Sequence, residues 1–340
     1  MEFRKIQKTG GSSYIVSLPK PWADEHGLRE KMKVGIITRN DGTLVVIPKI
    51  SSEINQKHKT INVDNIGENE SLLFRLLVAS YFQGYGIIKV KSENRLEPDV
   101  RELVKNFKND GIGLEIMEET PNSLTIKDLL NPAEVKFKQW LERISQLVVT
   151  QIREALLSIQ KRDVDIANEV ITRDREVNRI NWLMSRQHKI VTTNVFLTDR
   201  FEMNKEYVAD YSWMSRIIER VGDHAVKIAQ YNKTMMEEEL DKSIVETVVS
   251  VGKTAINLFQ ASIDTFFDNN ITEANENIER VIPFLDHCKE IENIAYTQEG
   301  VVALSLAYVS ESIRRIGEYS ADLAEYVINF LIEEPKDKQS

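Results

Sequence analysis

Residues 216–231 read RIIERVGDHAVKIAQY, and residues 311–326 read ESIRRIGEYSADLAEY. Both stretches carry an Arg-hydrophobic-Gly core and close on Ala-x-Tyr. Upstream of each, DIANEVITRD from Asp165 and ITEANENIER from Ile271 share Ala-Asn-Glu. A weak repeat at this spacing implies two three-helix units in tandem. The hydrophobic period agrees. Ile144, Leu147, Val148, Ile152, Ala155, Leu156 and Ile159 recur every three or four positions, the stripe of an antiparallel bundle. Helices are predicted over 134–161, 163–187, 205–237, 241–269, 271–297 and 300–333, with little beyond Glu334.

The first 130 residues follow other periods. Phe3 to Lys8 and Ser13 to Leu18 alternate as strands around Gly10-Gly11, and Pro19 and Pro21 end the second. Lys20 to Glu25 is predicted as one helical turn. Lys33 to Arg39 and Thr43 to Ile47 form a second hairpin around Asn40-Asp41-Gly42. Ser51 to Lys59 reads as a linker. Then come a strand near Ile61, a helix over Glu70–Phe82, a strand over Ile87–Lys91, a helix over Pro98–Phe107 and extended runs at Leu114–Glu118 and Ser123–Ile126. Strands alternating with helices imply a small α/β unit. FQGYGIIKV, with Gly84 and Gly86, sits at a helix-to-strand junction. A phosphate loop needs strand first and helix second, so these glycines are a helix stop.

The 340 residues carry a net charge of −9, unevenly spread. Residues 1–49 hold nine lysines and arginines against five acids, a basic head on an acidic body, which confines any polyanion binding to the head. Cys288 is the single cysteine, so there is no disulfide framework and no thiolate metal cluster, and a reducing cytoplasm is expected. No apolar run reaches the length of a membrane span, so no membrane insertion is expected. Four short strands in under 50 residues enclose no core of their own, and the head is expected to form a homodimer.

In the head, Arg4-Lys5-Ile6, Thr9-Gly10-Gly11-Ser12-Ser13, Ser17-Leu18-Pro19-Lys20, Gly27-Leu28 and Asp41-Gly42-Thr43-Leu44 resemble the SpoVT/AbrB family of swapped-hairpin DNA-binding domains. The resemblance implies two interleaved copies and DNA contacts from Arg4, Lys5, Lys8 and Lys20, with Ser12 and Ser13 as hydrogen-bond donors. ERVGDHA over 219–225, with VITRDREVN over 170–178, resembles the PhoU family of phosphate-uptake regulators, whose two three-helix bundles each carry an E/D-x-x-x-D motif that can hold metal clusters. This second resemblance runs over 131–335, and the combination is similar to archaeal phosphate-uptake regulators. The fold expected is mainly α: tandem three-helix bundles (about 134–237 and 241–333) within residues 131–340, preceded by a swapped-hairpin β domain over 1–50 and an α/β segment over 51–130.

Glu219 and Asp223, four residues apart, put two carboxylates one turn apart on one helix face. The apolar arc of Ile217, Val221, Ala225 and Ile228 points away from them, so the pair is expected on the outer surface. Hard oxygen donors of this kind suit iron, zinc, manganese or magnesium. Asp174 with Asn178 resembles the partner motif that completes the site. In the second repeat Arg314 replaces Glu219, Glu318 replaces Asp223 and Val281 stands opposite Asp174, so metal is expected in the first repeat only. An ordinary solvated face, with Asp223 paired to Lys227, is the alternative. No Ser/His/Asp set or Walker loop is recognisable, and His188, His224 and His287 form no ligand pair, so no catalytic residues are assigned. The function expected is a DNA-binding transcriptional or signalling regulator of phosphate uptake. The alternatives are a dimeric adaptor that docks on a phosphate transporter or sensor without binding DNA and, more distantly, a metal-dependent enzyme on a helical scaffold.

Overall fold

Apolar periodicity becomes regular structure over most of the chain. The structure, a computed structural model, describes residues 2–11, 13–38, 42–48, 56–67, 69–193 and 205–333. The chain divides into two compact units, residues 1–56 and 57–340.

In the first unit, β1 (Gln7–Thr9) and β2 (Ser13–Ile15) pair antiparallel, Lys8 facing Tyr14, and Gly10 takes φ +60° in the turn between them. Positive φ costs glycine no Cβ clash. The strand expected over Phe3–Lys8 forms only at its end, because β2 offers no partner to the residues before Gln7. The helical turn α1 (Lys20–Glu25) follows Pro19, then β3 (Gly35–Thr38) pairs with β4 (Leu44–Ile47). Asn40 and Asp41 of the predicted turn lie outside the described residues, as does Ser12.

The second unit begins with a four-stranded sheet ordered β5-β6-β8-β7. β5 (Lys57–Asn62) and β6 (Tyr85–Lys91) are parallel, joined through α2 (Glu70–Phe82). After α3 (Pro98–Asp110), β7 (Leu114–Thr120) and β8 (Ser123–Asp128) form a hairpin that pairs antiparallel with β6. Gly84 ends α2 at φ +77°, and its N–H bonds the Tyr81 carbonyl at 3.0 Å, which is the helix stop expected there.

Among the described residues six long helices follow: α4 (Phe137–Lys161), α5 (Val164–Thr193), α6 (Lys205–Thr234), α7 (Lys242–Phe267), α8 (Ile271–Tyr296) and α9 (Gly300–Glu333). α4, α5 and α6 pack on one another, as do α7, α8 and α9, which are the two repeats. The repeats share one continuous core, because α6 packs on α9 and α4 on α7. α5 runs past its expected end at 187 because its last turns are occupied by the α/β segment. Trp182 packs among Phe74, Tyr81 and Phe82, and Ile190 lies against Gly84. Arg186, 1% exposed, sends Nε and Nη2 to Asp128 at 2.9 and 2.6 Å and also donates to the Tyr81 and Tyr85 carbonyls.

Candidate functional site

The glycine shared by the two repeats has a packing cause. A Cβ on Gly222 would lie 3.2 Å from both Gln151 Oε1 and Val148 Cγ2 of α4. A side chain here would have to push these neighbours back by a few tenths of an ångström, so the bare backbone favours the close seating of α6 against α4 and α5. Glu219 and Asp223 flank that glycine, and the close approach draws both toward α5. They are half-buried rather than on the open surface expected from the helical arc. The arc itself was too narrow: Ile218, Gly222 and Ala229 are buried as well as Val221, Ala225 and Ile228.

The result is a seam of acids. Burial, then Asp223 and Asp174, push the Glu219 carboxyl up to about 7. Asp174 is raised by burial and by Asp223, and Asp223 is raised by burial against the opposing pull of Lys227. Asn178 Nδ2 donates to Asp174 Oδ2 at 2.7 Å, whereas Asp174 Oδ1 is buried with no hydrogen-bond partner. The structure therefore brings Asp174, Glu219, Asp223 and Asn178 to one seam between α5 and α6. Among the described residues, no Asp223–Lys227 ion pair forms, and no three His, Cys, Asp or Glu side chains converge closely enough to hold a metal as they stand. His224, next in sequence, turns to α9, its ring 5.8 Å from Tyr319, and burial holds its imidazole down to about 4.

One seam residue escaped the sequence. Gln151 of α4 is fully buried, leaves its Oε1 unpaired and donates Nε2 to the Val170 carbonyl at 3.4 Å. Its signal was a lone polar side chain inside the apolar stripe of Val148, Ile152 and Ala155. In the second repeat the place of Glu219 is taken by Arg314, which pairs with Glu318 and with Glu311. Val281 is buried there, and a Cβ on Gly317 would meet Phe284 rather than a polar group.

The head residues are all exposed where described. Arg4 and Lys5 lie in the irregular segment before β1, Lys8 is on β1, Ser13 on β2, and Lys20 opens α1. Arg4 is engaged by Glu2 at 2.6 Å. Of the large apolar side chains described here only Ile47 is buried, while Phe3 is 86% exposed and Ile36 64%.

Residues 141–231 match the family model described as the PhoU domain, and residues 7–53 match that of the antidote-toxin recognition protein MazE, a bacterial antitoxin. No curated protein matches the chain. Among solved structures, PhoU from Pseudomonas aeruginosa aligns at 19% identity and TM-score 0.50, over 58% of this chain and 95% of that one. The phosphate transport system regulatory protein PhoU from Streptococcus pneumoniae aligns at 20% identity and TM-score 0.48, over 58% and 93%. The PhoU match falls on α4 to α6, the repeat that keeps its acids, and stops short of the repeat in which Arg314 has entered. No described helix is long and apolar enough to cross a membrane. The helical body thus resembles a PhoU domain over residues 141–231, and the head resembles a MazE-type antitoxin over residues 7–53.

Proposed function

We propose that the chain is a regulator of phosphate uptake whose head dimerises and contacts DNA. The observation that carries this is the union, in one chain, of a PhoU domain over 141–231 with an antitoxin-type head over 7–53. The excess of basic residues in the head supports an anionic partner there. Phosphate contacts would come from Arg4, Lys5, Lys8 and Lys20, with Ser12 and Ser13 donating hydrogen bonds. Binding of the full chain to DNA upstream of its phosphate-transport genes, followed against salt, tests the reading. Affinity must fall steeply as salt rises, because each neutralised phosphate releases counterions. Lys8→Glu with Lys20→Glu must abolish it without lowering the melting temperature. Absence of binding at low salt would turn the reading to an adaptor that docks on a protein partner, a transporter or sensor, which the toxin-recognition description of the head's family model also favours.

The body would act as a cation-responsive element. Three raised carboxylates and an orphaned Asp174 oxygen are what a hard cation relieves. Asp174, Glu219 and Asp223 would hold it after side-chain rotation, with Asn178 beside them. The bound ion would supply charge neutralisation that tightens α5 onto α6. The second repeat supports no such role, since Arg314 already neutralises Glu318. Metal analysis of the purified chain under saturating iron, zinc or manganese checks this. About one site per chain is expected, lost on Glu219→Ala and indifferent to Glu318→Ala; two equal sites, or none, would overturn it.

A further inference from the structure

A second polar feature lies on the other flank of α5. A cleft of about 630 Å³ opens between α5 and the α3–β7 corner of the sheet. Lys108 of α3, Glu115 of β7, and Arg173, Arg175, Glu176 and Arg179 of α5 line it, so four cations face two carboxylates. Most of the charges have partners. Lys108 pairs with Glu115 at 3.2 Å, Arg175 with Asp110 at 2.6 Å, Arg173 with Glu154 and Glu176 with Arg143. Arg179 does not. It is half-buried, makes no hydrogen bond or ion pair among the described residues, and its Nε is buried without an acceptor.

A buried Nε–H without an acceptor is costly, and together with the two terminal nitrogens, which water still reaches, it forms a fixed fork of donors. The ligand that answers such a fork is a planar or tetrahedral oxyanion, taken bidentately. The cleft volume lies within the range of small-molecule sites, roughly 300–1,000 Å³. A carboxylate brings one charge, whereas a phosphoryl group brings about −1.5 to −2 and three acceptor oxygens. With its partners Arg143, Asp110 and Glu154 counted, the cleft keeps a surplus of one positive charge, that of Arg179, and the further charge and oxygens of a phosphoryl group can compete with Glu115 and Asp110 for Lys108 and Arg175. We propose that this cleft binds a phosphoryl group, with Arg179 as its anchor and Lys108 and Arg175 turning onto it from their carboxylate partners. The site belongs to the body and stands whether or not the head binds DNA.

Calorimetric titration of the full chain, kept in chelator so that no seam-bound metal contributes, tests this. The probes are inorganic phosphate, ATP and, as control, sodium chloride. Saturable binding of about one phosphoryl probe per chain is expected. Binding of ATP alone identifies a phosphorylated metabolite, and binding of inorganic phosphate identifies the free anion. Arg179→Gln should weaken binding at least tenfold, Lys108→Gln less, and the distant surface change Lys242→Gln not at all. Circular dichroism confirms the fold of each variant; should Arg179→Gln unfold, Lys108→Gln and Arg175→Gln carry the test. Failure of both phosphoryl probes at millimolar concentration, equal displacement by chloride, or undiminished binding by folded Arg179→Gln would overturn the proposal.

Discussion

At the scale of single residues, the two repeat glycines differ in how much room they protect. A Cβ on Gly317 would sit 2.2 Å from the Phe284 ring, whereas at Gly222 the nearest atoms are 3.2 Å away, one of them the end of the Gln151 side chain. Gly317→Ala should therefore cost about 1–3 kcal/mol through overpacking, offset by up to about 1 kcal/mol from alanine's better helix propensity. The melting temperature then falls by roughly 2–4 °C per kcal/mol, and Gly222→Ala should fall less; thermal scans giving the reverse order would contradict the packing. Glu219 supplies a prediction with a sign. Its folded carboxyl stands at about 7 against an ordinary value of 4.5. Between those values the folded chain keeps a proton that the unfolded chain has lost, so this group's contribution falls as pH rises through the window. Glu219→Gln removes that slope. In metal-free protein, the melting temperature of the variant minus that of wild type should grow from pH 4.5 to about 7 and flatten above.

At the scale of elements, α5 is the member that everything else uses. One flank carries Asp174 and Asn178 toward α6, another carries Arg175 and Arg179 to the cleft, and its last turns carry Trp182 and Arg186 into the sheet. Arg186–Asp128 is the buried ionic tie between β8 and the bundle. Removing one partner strands the other charge, so Arg186→Met should cost about 3–5 kcal/mol. Asp128→Asn in the same background should restore part of that loss, because the stranded charge is gone. Urea denaturation of the single and double variants measures both. A single variant within about 0.5 kcal/mol of wild type, the usual range for a surface substitution, would contradict a buried tie.

At the scale of the molecule, the head is a surface awaiting cover. Phe3, Ile6, Tyr14, Ile36 and Leu44 are all exposed in the single chain. Roughly 25 cal/mol per Å² of apolar surface favours burying them, and a second head would supply matching strands. Sedimentation of the full chain should give a dimer, and Ile36→Asp with Leu44→Asp should shift it to monomer while the helical circular dichroism signal stays. A wild-type monomer at micromolar concentration would contradict this. The body, by contrast, needs no second copy for its core. Both repeats close on one another through Tyr231 stacked on Tyr308 at 4.4 Å and Tyr326 donating to Asp210 at 2.7 Å.

Local periods were enough to mark the helices, the sheet strands, the two hairpins and the repeat, because a 3.6- or 2-residue period states which face a segment buries. The resemblances carried the choice of Asp174, Asn178, Glu219 and Asp223, and the lost acid at Arg314 was visible by alignment of the repeats alone. What spacing along one helix left open was which flank a second helix would cover. The seam was expected in water and is half-buried, because Gly222 admits α4 and α5, a contact across 71 residues that no local pattern encodes. Gln151 behind the seam, the single core spanning both repeats, the extra turns of α5 and the unanswered Arg179 in its cleft arise the same way. Each depends on which distant side chains share a volume once the helices pack, and that was decided only in the tertiary structure.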